Sequence, residues 1–274
     1  MSFFILILLA IIQGLTEFLP ISSSGHLVIL YNFFGISNNT KLLSILLHIA
    51  TLLSILIYYR KELSKLIMHP FCPTNRKMLI TTLSTCIVVL ILKPIIDQSF
   101  QGEYLFVFFT ITAVLLLISD FLSEKHDIMS RTTKFQPKTM QMINATDVTN
   151  IGVTYKQAII IGLTQGIACI PGISRSGSTI AVGRILKAED TTRYSFLIAI
   201  PIIIASFIME IFEGNIGSLE INIIPLLIAM ATCTIIGLLC IKLMTALVAK
   251  NKLTYFSYYL ICLSTFLVIW SFFA

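Results

Sequence analysis

The chemistry of this 274-residue chain is concentrated in two polar stretches set among long apolar runs. The first, Gln13 to His26 (QGLTEFLPISSSGH), gathers an amide, a carboxylate, three serine hydroxyls and an imidazole. The second, Pro171 to Gly177 (PGISRSG), sets an arginine between two serines. Gln13 and Glu17 stand four apart and share a face if the segment is helical. Glu17 could then give a divalent cation a hard oxygen ligand, and the Gln13 amide oxygen a neutral one. A carboxylate inside a membrane is costly and reads first as functional. Ser22, Ser23 and Ser24, ahead of Gly25 and His26, can cap a helix, open its N–H groups to an anion, or set a hydroxyl beside an imidazole as nucleophile and base. Arg175 in an apolar interior needs an anion. A bound phosphate or carboxylate suits its fork, and an internal ion pair with Glu17 is the less favoured alternative. Ser174, Ser176, Gly177 and Thr179 add donors around it. His48 lies within an apolar run, where it either lines a cavity or is a bonded core histidine.

These residues need elements to hold them, and the composition says which. The chain is 57% hydrophobic and only 12% charged, about half the charged fraction of a soluble domain. It reads as an all-α polytopic membrane protein, one membrane domain over 1–274. Six segments are long enough to cross a bilayer: 42–59, 78–96, 104–122, 194–212, 223–243 and 254–273. Two others, 3–34 and 155–188, are broken by Pro20 and the serine run and by Pro171-Gly172. Their halves are too short to span, so each is expected to be a re-entrant hairpin whose irregular tip lies buried in protein or against a wet cavity. The first apolar run lacks a basic leader and a small-residue cleavage site, so it reads as part of the fold.

Basic residues alternate between loops. Arg60, Lys61, Lys65, Arg76 and Lys77 follow the first span, and Lys125, Arg131, Lys134 and Lys138 the third; Lys242, Lys250 and Lys252 follow the fifth. The loops between them carry Asp97, Glu103, Glu213 and Glu220 without cations. Basic loops face the cytoplasm, which puts both termini on the outer, periplasmic side of an inner (plasma) membrane. The net charge of +6 thus belongs to loop asymmetry, and nucleic acid is not an expected partner. The six cysteines show no metal-ligand spacing and read as packing residues. Asp120, Glu210 and Lys242 sit near span ends and are expected to reach the interface.

A displacement of 152 residues lays Gln13-Gly14 on Gln165-Gly166 and Ile21 to Gly25 on Ile173 to Gly177. The halves, approximately 1–122 and 155–274, are joined by a cytoplasmic loop at 123–154. With one hairpin and three crossings each, they form an inverted repeat, and such repeats place a site near the midplane where the broken helices meet. The two polar tips should therefore face one another. Cys169 replaces Glu17 in the second copy and Arg175 replaces Ser23, so one half supplies the carboxylate and histidine and the other the cation.

QGLTEFLPISSSGHL (13–27) and PGISRSG (171–177), in this order and at this chain length, resemble the two signature regions of the undecaprenyl-diphosphatase family of the bacitracin-resistance type. The resemblance implies a membrane hydrolase that removes the terminal phosphate of a C55 polyprenyl diphosphate and regenerates the carrier lipid for peptidoglycan synthesis. Bacitracin would compete for that substrate, and overproduction would give resistance. It also implies a divalent cation, Mg2+ or Ca2+. A second copy of the chain is a candidate partner. By position, the family's acidic motif falls on Gln13 and Glu17, its serine loop on Ser22, Ser23, Gly25 and His26, and its second motif on Ser174, Arg175, Ser176 and Thr179. The family often has glutamate where Gln13 stands, so a two-carboxylate metal site is in doubt here. Ser23 or His26 is the nucleophile, or His26 is the base for one; the residues leave this open. A transporter or flippase for a polyprenyl phosphate is the alternative, because inverted repeats with broken helices also serve transport.

Overall fold

The computed structural model describes residues 2–36, 40–132, 148–212, 222–249 and 252–272. Among them the regular structure is helical: α1 (Phe3–Phe18), α2 (Ser23–Phe33), α3 (Thr40–Tyr58), α4 (Arg60–Met68), α5 (Pro73–Ser99), α6 (Leu105–Thr132), a 3₁₀ turn (Val148–Asn150), α7 (Tyr155–Ile167), α8 (Arg175–Ile185), α9 (Thr191–Phe212), α10 (Ile223–Ala249) and α11 (Thr254–Ser271). Five of these (α5, α6, α9, α10 and α11) are long and apolar enough to cross a membrane; α3 joins them if it is taken with α4 as one bent span. The segment after residue 59, expected as a basic loop, instead turns by 80° into α4. Its sequence RKELSKLIM mixes charged and apolar residues at helical spacing, so it suits an interface better than a crossing. Residues 133–147 and 213–221, with Lys134, Lys138, Glu213 and Glu220 of the charge reading, lie outside the described residues, as does Lys250.

Both broken regions fold as short helix pairs. In the first, α1 has 16 residues and ends before Pro20; α2 has 11 and starts under a Ser22 cap, whose Oγ accepts from Gly25 N at 3.3 Å. In the second, α7 has 13 residues and opens with a Thr154–Gln157 capping box; α8 has 11 and starts under a Ser174 cap, whose Oγ accepts from Gly177 N at 3.1 Å. None of the four reaches across about 30 Å of hydrocarbon at about 1.5 Å per residue.

The packing partners of the two pairs correspond. α1 lies along α10 and α7 lies along α5, while α6 packs on α11 and α3 on α9. The helix backbones can approach because a glycine stands at each contact. A Cβ on Gly14 would lie 2.7 Å from the Cys233 carbonyl of α10, and one on Gly166 would lie 2.5 Å from Val88 of α5. Asp120, expected at the interface, is instead a buried joint. It pairs with Arg184 at 2.6 Å and accepts from the backbone N and hydroxyl of Thr254 at 2.7 Å each, tying α6 and α8 to the start of α11.

Candidate active site

The two polar tips meet. Ser22 Oγ accepts from Gly172 N at 3.1 Å, and Ser176 Oγ donates to the carbonyls of Glu17 and Leu19 at 3.2 Å each. A Cβ on Gly25 would lie 2.9 Å from the Gly172 backbone and 2.6 Å from Phe109, so only a glycine lets the tips close to this distance. Ser22 holds a positive φ of 66°, a conformation rarely taken by a residue with a Cβ and kept only where the surroundings enforce it. Here its hydroxyl is pinned from both tips.

Glu17 is the centre of the junction. Its side chain is 3% exposed, and four donors converge on its two oxygens. Arg175 Nη2 pairs with Oε1. Ser23 Oγ donates to Oε2 at 2.5 Å, Gln13 Nε2 donates to the same oxygen at 3.0 Å, and His48 Nε2 lies 3.3 Å from it. The ion pair between Arg175 and Glu17, the less favoured reading of the sequence, is therefore present in the structure. Burial makes the arrangement mutual: each charge is costly without the other.

Glu17, Ser22, Ser23, Ser24, Ser174 and Arg175 line one end of a cavity of about 400 Å³. His48 of α3 lines it as well, while Leu90 of α5, Ile202 and Met209 of α9 are among its apolar walls. Glu210, expected at the interface, is buried at this cavity's edge. Thr179 stands behind the junction. Its hydroxyl shares hydrogen bonds with the Arg175 carbonyl at 2.8 Å and with Ser195 of α9 at 2.5 Å, so it supports α8 and does not touch the cavity.

His26 is placed differently from the expectation. Its Nδ1 faces the Ser22 carbonyl and its Nε2 the Tyr259 hydroxyl of α11, both at 2.7 Å. The ring also lies edge-on to Phe109 with centroids 5.4 Å apart. A carbonyl only accepts, so Nδ1 carries the hydrogen and Nε2 accepts from Tyr259. Both nitrogens are engaged, and the ring is not among the groups that line the cavity. No signal in the sequence could reveal this, because the ring's partner lies 233 positions away.

The proposed cation ligands do not fit a resident metal. Gln13 turns its amide nitrogen toward Glu17, and its Oε1 is buried without a partner. A divalent ion on Glu17 would compete with the Arg175 guanidinium for the same carboxylate. Among the described residues no three His, Cys, Asp or Glu side chains converge to hold a metal. The cysteines are free; Cys72, Cys233 and Cys240 are buried as packing residues.

Fold and site together define a multi-pass, all-helical membrane protein with a buried Ser–Glu–Arg centre suited to phosphate chemistry. Residues 6–266 match the family described as Bacitracin resistance protein BacA. An undecaprenyl-diphosphatase of Carboxydothermus hydrogenoformans is 32% identical over 265 residues, covering 94% of each chain. One of Treponema denticola is 34% identical over 277 residues, covering 95% of this chain and 94% of its own. The chain belongs to the BacA family.

Proposed function

We propose that the chain is an undecaprenyl-diphosphatase, cleaving the diphosphate lipid to undecaprenyl phosphate and inorganic phosphate. Membership of the family supports the activity. The observation that carries the mechanism is the Ser23 hydroxyl donating to Glu17 Oε2 while Arg175 holds Oε1, at the end of a cavity with apolar walls. A diphosphate entering that end offers Arg175 better anions than a single carboxylate. As guanidinium hydrogen bonds pass to phosphate oxygens, Glu17 Oε1 is released and its oxygens regain basicity. Ser23 Oγ then attacks the terminal phosphorus and its proton goes to Glu17. The bond from that phosphorus to the bridging oxygen breaks, and the electron pair leaves with the lipid monophosphate. The Glu17 proton passes to the oxygen of the departing monophosphate. The carboxylate then takes a proton from water, whose oxygen attacks the phosphoserine phosphorus. The bond to Ser23 Oγ breaks, and that proton returns from Glu17 to Oγ as inorganic phosphate leaves. Charge stabilisation and positioning supply most of the acceleration in such transfers. Arg175, the Ser174 hydroxyl and the N-terminal amides of α2 and α8 are the groups available for it.

The role given to His26 is thus structural: it anchors the Ser22 turn to α11. A divalent cation, Mg2+ or Ca2+, is proposed only as a companion of the diphosphate, neutralising part of its charge when bound. The corresponding contacts of the two halves support reading the fold as an inverted repeat with two re-entrant hairpins and six crossings, α3 included. The basic loops support cytoplasmic placement of 60–77 and outward termini in the plasma membrane. Recycling of the carrier lipid, and competition by bacitracin for the diphosphate, follow from the substrate. Homodimerisation is a further proposal, which sedimentation in detergent would test.

Phosphate release by the purified protein in detergent tests the function, because no compartments exist there for transport. Phosphate from the diphosphate with wild type, and none with Ser23→Ala, is expected. No release from wild type would refute the enzyme and favour a lipid flippase.

A further inference from the structure

His48 is a cavity-lining group that the mechanism above leaves without a role. It sits in the middle of α3, its side chain 22% exposed. Its Nδ1 faces the Ser44 carbonyl one turn back at 2.7 Å, and its Nε2 faces Glu17 Oε2 at 3.3 Å. The carboxylate oxygen accepts, so Nε2 is the ring nitrogen placed to donate to it. The Ser44 bond fixes the ring plane, and the ring then fixes the carboxylate. This matters because Oε2 is also the oxygen that Ser23 approaches at 2.5 Å. Arg175 restrains Oε1 only until substrate arrives. After the guanidinium turns to phosphate, Gln13 and His48 are the remaining donors that keep Oε2 aimed at Ser23, Gln13 from within α1 and His48 from α3.

We infer that His48 is a positioning residue of the reaction: it holds Glu17 Oε2 on the Ser23 hydroxyl once Arg175 has moved to the substrate. The inference rests on the Ser23–Glu17 reading above. A hydrogen-bond role predicts a particular pattern of substitutions. Glutamine places its amide nitrogen near the position of the histidine Nε2 and can donate to the same oxygen. Asparagine reaches only as far as Nδ1 and cannot. Leucine donates nothing.

The test uses full-length protein in detergent with undecaprenyl diphosphate labelled in its terminal phosphate. Wild type, His48→Gln, His48→Asn, His48→Leu and Ser23→Ala are compared for kcat, KM and label trapped on Ser23 after acid quench. A misplaced catalytic carboxylate costs about 100-fold, so His48→Asn and His48→Leu are expected to lose about that factor in kcat and in the rate of labelling, with KM little changed. His48→Gln is expected to stay within about tenfold of wild type. A merely structural role would not separate glutamine from asparagine, and that comparison stands even if the leucine variant fails to fold. Equal rates for His48→Gln and His48→Asn, or a wild-type rate for His48→Leu, would overturn the inference while leaving Ser23 labelling in wild type intact. A wild type that turns over without label on Ser23 would instead overturn the Ser23 reading, and this inference with it.

Discussion

Replacing Glu17 by glutamine should produce an enzyme that binds its anion better and turns it over far worse. The Arg175 side chain, 16% exposed, is paired with that of Glu17, 3% exposed. Substrate must therefore displace the carboxylate before it can take the guanidinium. Glu17→Gln keeps the side-chain shape but removes the charge, so this competition disappears. A hydrogen bond to a charged group contributes about 1.5–3 kcal/mol, and that much is no longer spent on displacement. Affinity for an anion such as inorganic pyrophosphate should rise about 10- to 100-fold, at about 1.4 kcal/mol per tenfold. The same substitution takes away the proton acceptor of Ser23. Loss of a positioned base costs about 10²- to 10⁴-fold in kcat. With no ligand present, Arg175 is left as an uncompensated cation, a loss of about 3 kcal/mol at the low end for a broken buried pair, since the cavity still hydrates it. The variant should melt below wild type and recover most of the difference in saturating pyrophosphate. Isothermal calorimetry for pyrophosphate, thermal denaturation with and without it, and phosphate release cover the three parts. Weaker pyrophosphate binding by Glu17→Gln than by wild type would refute the view that the ion pair guards the site. Turnover within tenfold of wild type would refute Glu17 as the base.

Arg175→Lys keeps a charge but loses the bidentate fork; kcat/KM for the diphosphate should fall about 100-fold or more, matching about 3 kcal/mol of lost transition-state contact. Gly25→Ala places a Cβ 2.6 Å from Phe109 and 2.9 Å from the Gly172 backbone; overpacking of this kind costs about 1–3 kcal/mol, so thermal denaturation should shift down and phosphate release should drop as the tips part. Tyr259→Phe removes the hydroxyl from His26 Nε2 and leaves a buried acceptor unsatisfied, at about 1–3 kcal/mol. Its stability should fall, yet any phosphoenzyme trapped from it should still carry the label on Ser23; label on His26 in any variant would overturn the assignment of that residue to support.

Much of this was legible in the sequence because it rests on local rules. The two breaks announce themselves through Pro20 and Pro171-Gly172, and the serines that follow are caps in the structure, Ser22 and Ser174 accepting from Gly25 and Gly177 at matching positions of the two halves. That the tips meet followed from the displacement of 152 residues and the odd number of crossings between them. What stayed hidden depends on which way a side chain turns. Arg175 could pair with a ligand or with Glu17, and spacing cannot choose between anions. The two histidines show the limit best. His26 lies in the motif, three residues after Ser23, and spacing made it the natural partner of the serine. Yet its ring folds back on the Ser22 carbonyl and out to Tyr259, contacts set by the packing of α2 on α6 and α11. His48 lies in no polar motif, 31 residues from Glu17 in an apolar helix, and reaches the carboxylate because α3 packs beside α1 and faces the cavity. The ring expected near Ser23 is bonded to Ser22 and Tyr259, and the imidazole 3.3 Å from the Glu17 carboxylate belongs to His48. Motif spacing reports which backbone segments come together, while the face that each helix turns to the cavity is decided by its packing against other helices.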